Sequence, residues 1–206
     1  RTLALDVSDQ AAVAESVPRE LAEQSIDAVI NAAGVSHPVM FLDVTPGQLH
    51  EQMDVNYWGT VWVTRAAVSH LLERGGGNIV VMGSIAARIG APGYAGYAAS
   101  KAALYGFAEV LRAELASRGI VVTIAMPSST ETPMLVHERE TAPEPAKRLI
   151  EGTRVISADK VAEAVLNAAA RGRFSVIPGL DVRLQSAAYQ AFPRVGHALV
   201  DRMARG

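Results

Sequence analysis

Apolar runs of strand length alternate with long helical patterns along this chain, which confines it to a parallel sheet covered by helices. The runs fall at residues 3–7, 26–32, 78–82, 120–126 and 174–177. They are nearly continuous in Val, Ile, Leu and Ala, as expected of strands covered on both faces. Helical patterns fill residues 10–24, 45–74, 94–118 and 158–171. Thr45-Pro46 supplies an N-cap and a proline at the first helical position, and Ser157 or Asp159 starts the fourth helix. Gly119 and Gly172 stand where helices should stop. The expected fold class is α/β, a doubly wound parallel sheet in three layers. A chain of 206 residues holds one such domain and too little for a second.

The stretch 128–157 breaks the alternation with three prolines and the charged run His137-Glu138-Arg139-Glu140. Following a strand, it reads as a partly helical excursion over the carboxyl edge of the sheet, where open α/β sheets bind ligands. The tail, 181–206, has the pattern of an amphipathic helix interrupted at Pro193. A net charge of −2 offers no attraction to nucleic acid or an anionic membrane. No apolar run approaches the ~18–20 residues that span a bilayer. With no cysteine there is neither a disulfide framework nor thiolate chemistry, which fits a soluble, cytoplasmic protein. The five histidines are scattered without metal-ligand spacing. Gly75-Gly76-Gly77 precedes a strand rather than joining strand to helix, so it reads as a turn and not a phosphate loop.

Tyr97 and Lys101 are four positions apart in a helical pattern, on one face and one turn apart. A phenol with a pKa near ~10 is a poor proton donor or acceptor at neutral pH. A neighbouring ammonium favours the phenolate and makes the tyrosine useful in proton transfer. Alone, this spacing equally describes an exposed helical pair, and Tyr94 stands nearby as a competitor. Ser84 narrows the choice. It follows the run 78–82 and should project from the carboxyl edge of a central strand, able to donate to a carbonyl oxygen. The alternative for Ser84 is an N-cap or turn serine.

In order and spacing, Leu5-Asp6-Val7, Asn31-Ala32-Ala33-Gly34, Asp54-Val55-Asn56-Tyr57-Trp58-Gly59, Gly83-Ser84 and Tyr97-Ala98-Ala99-Ser100-Lys101 resemble the short-chain dehydrogenase/reductase family. The resemblance implies a Rossmann-like fold and hydride exchange between a nicotinamide cofactor and a carbonyl. It implies that Tyr97 is the general acid in reduction, that Ser84 orients the substrate oxygen, and that Lys101 lowers the tyrosine pKa and reaches the nicotinamide ribose. Asn56 matches a residue that holds a relay water by interrupting the helix 45–74. The implied cofactor contacts are Asp6 near the adenine, Asn31 and Gly34 at the turn beside the cofactor, Tyr97 and Lys101 at the ribose, and Thr132 at the carboxamide. The family's Pro-Gly is Pro127-Ser128 here, a departure in the local backbone path.

The family opens with a strand, a glycine-rich turn and a helix, then a second strand and helix. Nothing in these residues matches that unit, so residues 3–7 correspond to the family's third strand and 26–32 to its fourth. The expectation is an incomplete view of a longer protein, lacking about one βαβα unit at its start. The segment from Pro127 to Met134 and the later Arg148-Leu149-Ile150-Glu151 and Ala158-Asp159-Lys160-Val161-Ala162 resemble the 3-ketodihydrosphingosine (3-dehydrosphinganine) reductases. This implies a long-chain amino ketone as substrate and NADP(H) ahead of NAD(H), although the residues that choose between them belong to the unmatched unit. Alternatives are a general 3-oxoacyl or ketone reductase and a non-catalytic binding protein on the same fold. The helices at 45–74 and 94–118 carry apolar residues on several faces, including Trp58, Trp62 and Phe107, which points to a homodimer or homotetramer.

Overall fold

The computed structural model describes residues 1–205. Strands β1 (Ala28–Asn31), β2 (Gly77–Met82) and β3 (Ile120–Ala125) lie parallel in that order. The short β4 (Thr130–Glu131) and β5 (Ile156–Ser157) form a separate parallel pair, and β6 (Ser175–Val176) joins the main sheet beside β3. The helices are α1 (Gln10–Ala22), α2 (Pro46–Gln52), α3 (Gly59–Glu73), α4 (Ala95–Leu115), α5 (Pro133–Thr141), α6 (Glu144–Glu151), α7 (Ala158–Ala170), α8 (Leu180–Ala191) and α9 (Pro193–Arg205). A π-helical turn, Met53–Trp58, separates α2 from α3.

Two apolar layers flank the sheet, so it is wound on both faces as expected. On one side Leu71 and Ala67 of α3 and Leu104 and Ala108 of α4 meet Ile79, Val81, Val122 and Ile124. On the other, Val161, Val165 and Ala169 of α7 cover Val80 and Ala125. Thr45 accepts from the Gln48 N–H while the Gln48 side chain returns to the Thr45 N–H, a complete capping box at α2. Ser157 occupies the N-cap of α7 without a side-chain hydrogen bond. Gly119 takes a left-handed φ of 77° between α4 and β3, a conformation that costs glycine little. The tail divides as read, α8 ending before Pro193 starts α9; Gly206, the last residue of that pattern, lies outside the described residues.

Residues 3–7 depart from the expectation, for they form no strand. Leu3 is 48% exposed, and Arg1 reaches across to Glu20 and Glu23 of α1. A strand exists only by pairing, and no described strand runs beside this segment to complete its ladder. Covering on both faces also fails for β1. Val29 and Asn31 are buried, but Ile30 is 50% exposed, because α7 packs over β2, β3 and β6 and does not reach the β1 edge.

Candidate functional site

The carboxyl ends of β1 and β2 bring the site together. Asn31 ends β1, Ser84 lies two residues past β2, and the start of α4 carries Tyr97 and Lys101 to the same edge. The Lys101 Nζ donates to the Met82 carbonyl at 2.8 Å, tying α4 to the last residue of β2. That ammonium also sits 5.5 Å from the centre of the Tyr97 ring. Ser84 has extended backbone and its Oγ accepts from the Ala86 N–H at 3.1 Å. It is the capping serine of a short 3₁₀ turn, and the same hydroxyl lies beside Tyr97.

Asn56 lies in the π-helical turn and is fully buried. The extra residue in that turn swings its side chain out of helical register and toward the loop after β1. Its Oδ1 accepts from the Val35 N–H at 2.8 Å, and its Nδ2 donates to the Val35 carbonyl at 3.0 Å and to Ser100 Oγ at 2.9 Å. Ser100 in turn donates to the Tyr97 carbonyl at 2.8 Å. Asn56 is thus linked through one side chain to the helical turn that carries Tyr97. Ser100 and Val35 were given no role by the sequence, although Ser100 stands inside the motif that names Tyr97 and Lys101.

The proton energetics differ in one respect from the expectation. Burial pushes the Tyr97 phenol up to about 12, with the Ser84 hydroxyl opposing and Glu138 adding to the rise. Burial also lowers Lys101 to about 8. The expected lowering of Tyr97 by Lys101 is not the dominant effect, because the ammonium is directed at the Met82 carbonyl and desolvation outweighs it. Tyr97 therefore holds its proton across the neutral range.

Residues paired with the cofactor by resemblance occupy three places. The Asn31 Nδ2 donates to Thr64 Oγ1 at 3.1 Å and to the Val80 carbonyl at 3.4 Å, bridging β1, α3 and β2. A Cβ on Gly34 would stand 3.2 Å from Asn56 Oδ1 and 3.6 Å from Lys101 Nζ, so this glycine keeps open the space between them. Thr132 caps α5, its Oγ1 accepting from the Leu135 N–H at 3.4 Å and donating to the Thr130 carbonyl at 3.2 Å. Asp6 stands apart on the surface, where the Ser8 hydroxyl and backbone N–H hold its carboxylate below the usual range. At Pro127-Ser128, the Pro127 carbonyl accepts from the Ile85 N–H at 3.0 Å and the Ser128 hydroxyl is buried without a partner. Gly75, Gly76 and Gly77, all with positive φ, make the turn into β2. Among the described residues there is no cluster of metal ligands and no helix long and apolar enough to cross a membrane.

Sequence reading also passed over Glu138. It lies on α5, one turn beyond the buried Leu135, which packs with Tyr94 and Tyr97. Burial raises its carboxyl pKa, and the hydroxyls of Ser36 and Tyr94 lie beside it. Tyr94, raised by burial and then by Glu138, meets the Tyr97 ring edge-on with centroids 6.0 Å apart.

A wound sheet with Ser84, Tyr97 and Lys101 at its carboxyl edge is the arrangement of a nicotinamide-type oxidoreductase fold. The sequence profile of the short chain dehydrogenases matches residues 1–143, and the chain belongs to that family of oxidoreductases. It is 35% identical to a 3-dehydrosphinganine reductase of Danio rerio over 90% of this chain and 56% of the relative. It is 33% identical to a 3-ketodihydrosphingosine reductase of Bos taurus over 87% of this chain and 54% of the relative. The chain thus spans about half the length of these relatives. Among solved structures, a short chain dehydrogenase from Burkholderia cenocepacia in complex with NADP superposes with a TM-score of 0.81 at 29% identity. That superposition covers 96% of this chain and 77% of the other.

Proposed function

We propose that this chain carries the catalytic half of an NADP(H)-dependent reductase that converts a long-chain 2-amino ketone to its secondary alcohol. The observation that carries this reading is the convergence of Ser84, Tyr97 and Lys101 on the edge that Asn56 organises. The space kept open by Gly34 and the buried, unpartnered Ser128 hydroxyl suit a nicotinamide bound at this edge. Lys101 and Tyr97 would hold its ribose, Thr132 its carboxamide, and Asn31 and Gly34 the backbone beside it, with Asp6 toward the adenine. When bound, the nicotinamide supplies the hydride.

Ser84 donates to the substrate carbonyl oxygen and stabilises the negative charge that develops there. Tyr97, protonated at neutral pH, delivers its proton to the same oxygen. The Lys101 ammonium lies near enough to support the phenolate left behind. Asn56 keeps Tyr97 in place through Ser100.

Three features support a long-chain substrate. The two relatives named above reduce 3-keto sphingoid bases by name. The loop after β1 exposes Met40, Phe41 and Leu42, the last 93% exposed, and Val39 N–H binds the Gly93 carbonyl at 2.9 Å just ahead of Tyr94. The excursion of α5 and α6 adds the exposed Val136, and these apolar side chains would offer an alkyl chain a surface to lie on. NADP(H) is favoured over NAD(H) by the NADP-bound structural neighbour. A homodimer or homotetramer through α3 and α4 is favoured by the exposed Val110 and by Trp58, which stacks on Trp62 with centroids 4.9 Å apart.

Incubation with NADPH and 3-ketodihydrosphingosine, beside a short acetoacetyl substrate, tests the reading. Oxidation of NADPH with the sphingoid ketone supports it. Turnover of the short ketone alone shifts the assignment to a general 3-oxoacyl or ketone reductase, and turnover of neither leaves a binding protein on this fold.

A further inference from the structure

The Glu138 carboxylate adds to the rise of the Tyr97 pKa, and the fold brings it beside the same pair of tyrosines. Position 138 falls one turn after Leu135 on α5, so both face inward, toward Tyr94 and Tyr97. Half-buried, it loses solvation, and a buried carboxylate without a cation is costly. No Lys or Arg acts on it; its neighbours are the Tyr94 and Ser36 hydroxyls and, on its own helix, His137. Its titratable neighbours are thus Tyr94 and Tyr97, both held protonated by burial, and His137 on its own helix.

Ser36 supplies an independent observation. It is only 5% exposed, and its Oγ is buried with no closed hydrogen bond although it lies beside Glu138. A buried hydroxyl placed in this way can turn its proton toward the carboxylate and still accept from a further donor. An alkylammonium offers three donors and one positive charge. It would satisfy the Ser36 oxygen and bring Glu138 the positive charge that neither neighbouring hydroxyl carries.

We infer that Glu138 and Ser36 form an ammonium subsite beside Ser84 and Tyr97, which selects ketones bearing a protonated amine next to the carbonyl. The inference rests on the proposed reading of this cleft as a carbonyl site. In a 2-amino ketone the nitrogen is two bonds from the carbonyl carbon, so one substrate reaches both places. Tyr94 positions the subsite, since its hydroxyl faces the carboxylate and its ring lies against Tyr97. Glu138 is thus a specificity-determining residue.

The test is calorimetric titration of the 206-residue chain with a long-chain 2-amino-1,3-diol and with the same diol lacking the amine. Wild type should prefer the amine, and Glu138→Gln should erase that preference with about a 10- to 100-fold loss for the amine ligand only. Gln keeps an acceptor for Tyr94, so the fold should persist, and Glu138→Asp should restore part of the preference. Equal binding of both diols by wild type, binding of neither, or a preference that survives Glu138→Gln each overturns the inference. So does an equal loss for both ligands. Turnover of the amine-free long-chain ketone with NADPH separates the two proposals. Reduction without amine preference leaves the reductase reading standing and removes the subsite. Glu138-dependent amine preference without reduction of any ketone does the reverse.

Discussion

Asn56 and Val35 are joined by two hydrogen bonds, Oδ1 accepting from the Val35 N–H at 2.8 Å and Nδ2 donating to the Val35 carbonyl at 3.0 Å. The amide acts as a third strand partner for a loop that the sheet does not reach, and its remaining N–H holds Ser100 and so the Tyr97 turn. The π-helical turn makes this possible, because an unbroken helix would leave Asn56 in regular register against its neighbours.

Asn56→Asp should therefore be more damaging than its size suggests. The carboxylate still accepts from Val35 but cannot donate to the Val35 carbonyl or to Ser100, and it buries a charge in a fully enclosed place. Unsatisfied buried groups cost about 1–3 kcal/mol each, so the loss of stability should be about 2–4 kcal/mol. Urea denaturation checks this, and a loss below about 1 kcal/mol would show that water or repacking replaces the amide.

How far this site was legible in the sequence depends on the kind of information each residue carries. That Ser84 follows a strand end and that Tyr97 and Lys101 share a helix face was readable from local periodicity, whereas their roles came only from resemblance. The break at Asn56 was readable only through resemblance, since a single π-helical turn shifts the phase of a helix without ending its apolar pattern. Residues 3–7 have the composition of a strand, but pairing is a property of two segments, and the pattern of one cannot report whether its neighbour is there. Glu138 stood in the charged run of the segment read as an excursion over the carboxyl edge, where nothing singled it out; only the docking of α5 through Leu135 turns it inward. Ser36 carried no signal at all, because an isolated serine says nothing of what closes over it.

Gly34→Ala should separate folding from catalysis. Its φ is not in the left-handed region, so alanine meets no backbone strain there. The added methyl would instead stand 3.2 Å from Asn56 Oδ1 and 3.6 Å from Lys101 Nζ. Displacing these by a few tenths of an ångström should cost about 1 kcal/mol of stability, within the usual range for overpacking. Turnover should fall much more, by roughly 10- to 100-fold, because misplacement of a reacting group is costly to rate. Parallel melting curves and NADPH kinetics decide; unchanged kcat/KM would mean that the space near Lys101 is not used.

Lys101 makes stability depend on pH with a definite sign. Its folded pKa of about 8 lies below the ordinary 10.5, so the folded protein holds the proton less tightly than the unfolded chain does. Below about pH 8 the fold bears the full cost of a buried ammonium, and that cost fades as pH rises from about 8 toward 10.5. The difference is on the order of 3 kcal/mol across the whole window. Tyr97 opposes only above its unfolded value of 10, where its raised folded pKa begins to cost stability. Unfolding free energies of wild type and Lys101→Met between about pH 7 and pH 10 should therefore converge differently: wild type gains relative to the variant as pH rises. Two curves that run parallel would mean that Lys101 is solvated in the folded protein.

Two tyrosines share this cleft, and their substitution assigns the proton. Tyr94 and Tyr97 stand edge-to-face, and both are raised by burial, so neither pKa singles out the acid. Surroundings do: Tyr97 has Ser84 and Lys101 beside it, while Tyr94 has Glu138. Tyr97→Phe should lower kcat by at least about 100-fold, the usual contribution of a positioned general acid, with little change in melting temperature. Tyr94→Phe keeps the ring packing and leaves the proton donor intact, so kcat should stay within about threefold of wild type, well inside what loss of a general acid removes. It should shift KM for an amine-bearing ketone, because the hydroxyl that faces Glu138 is gone. Reversal of the two kcat results would move the general acid to Tyr94. Equal large losses would place both hydroxyls on one proton path through the cleft.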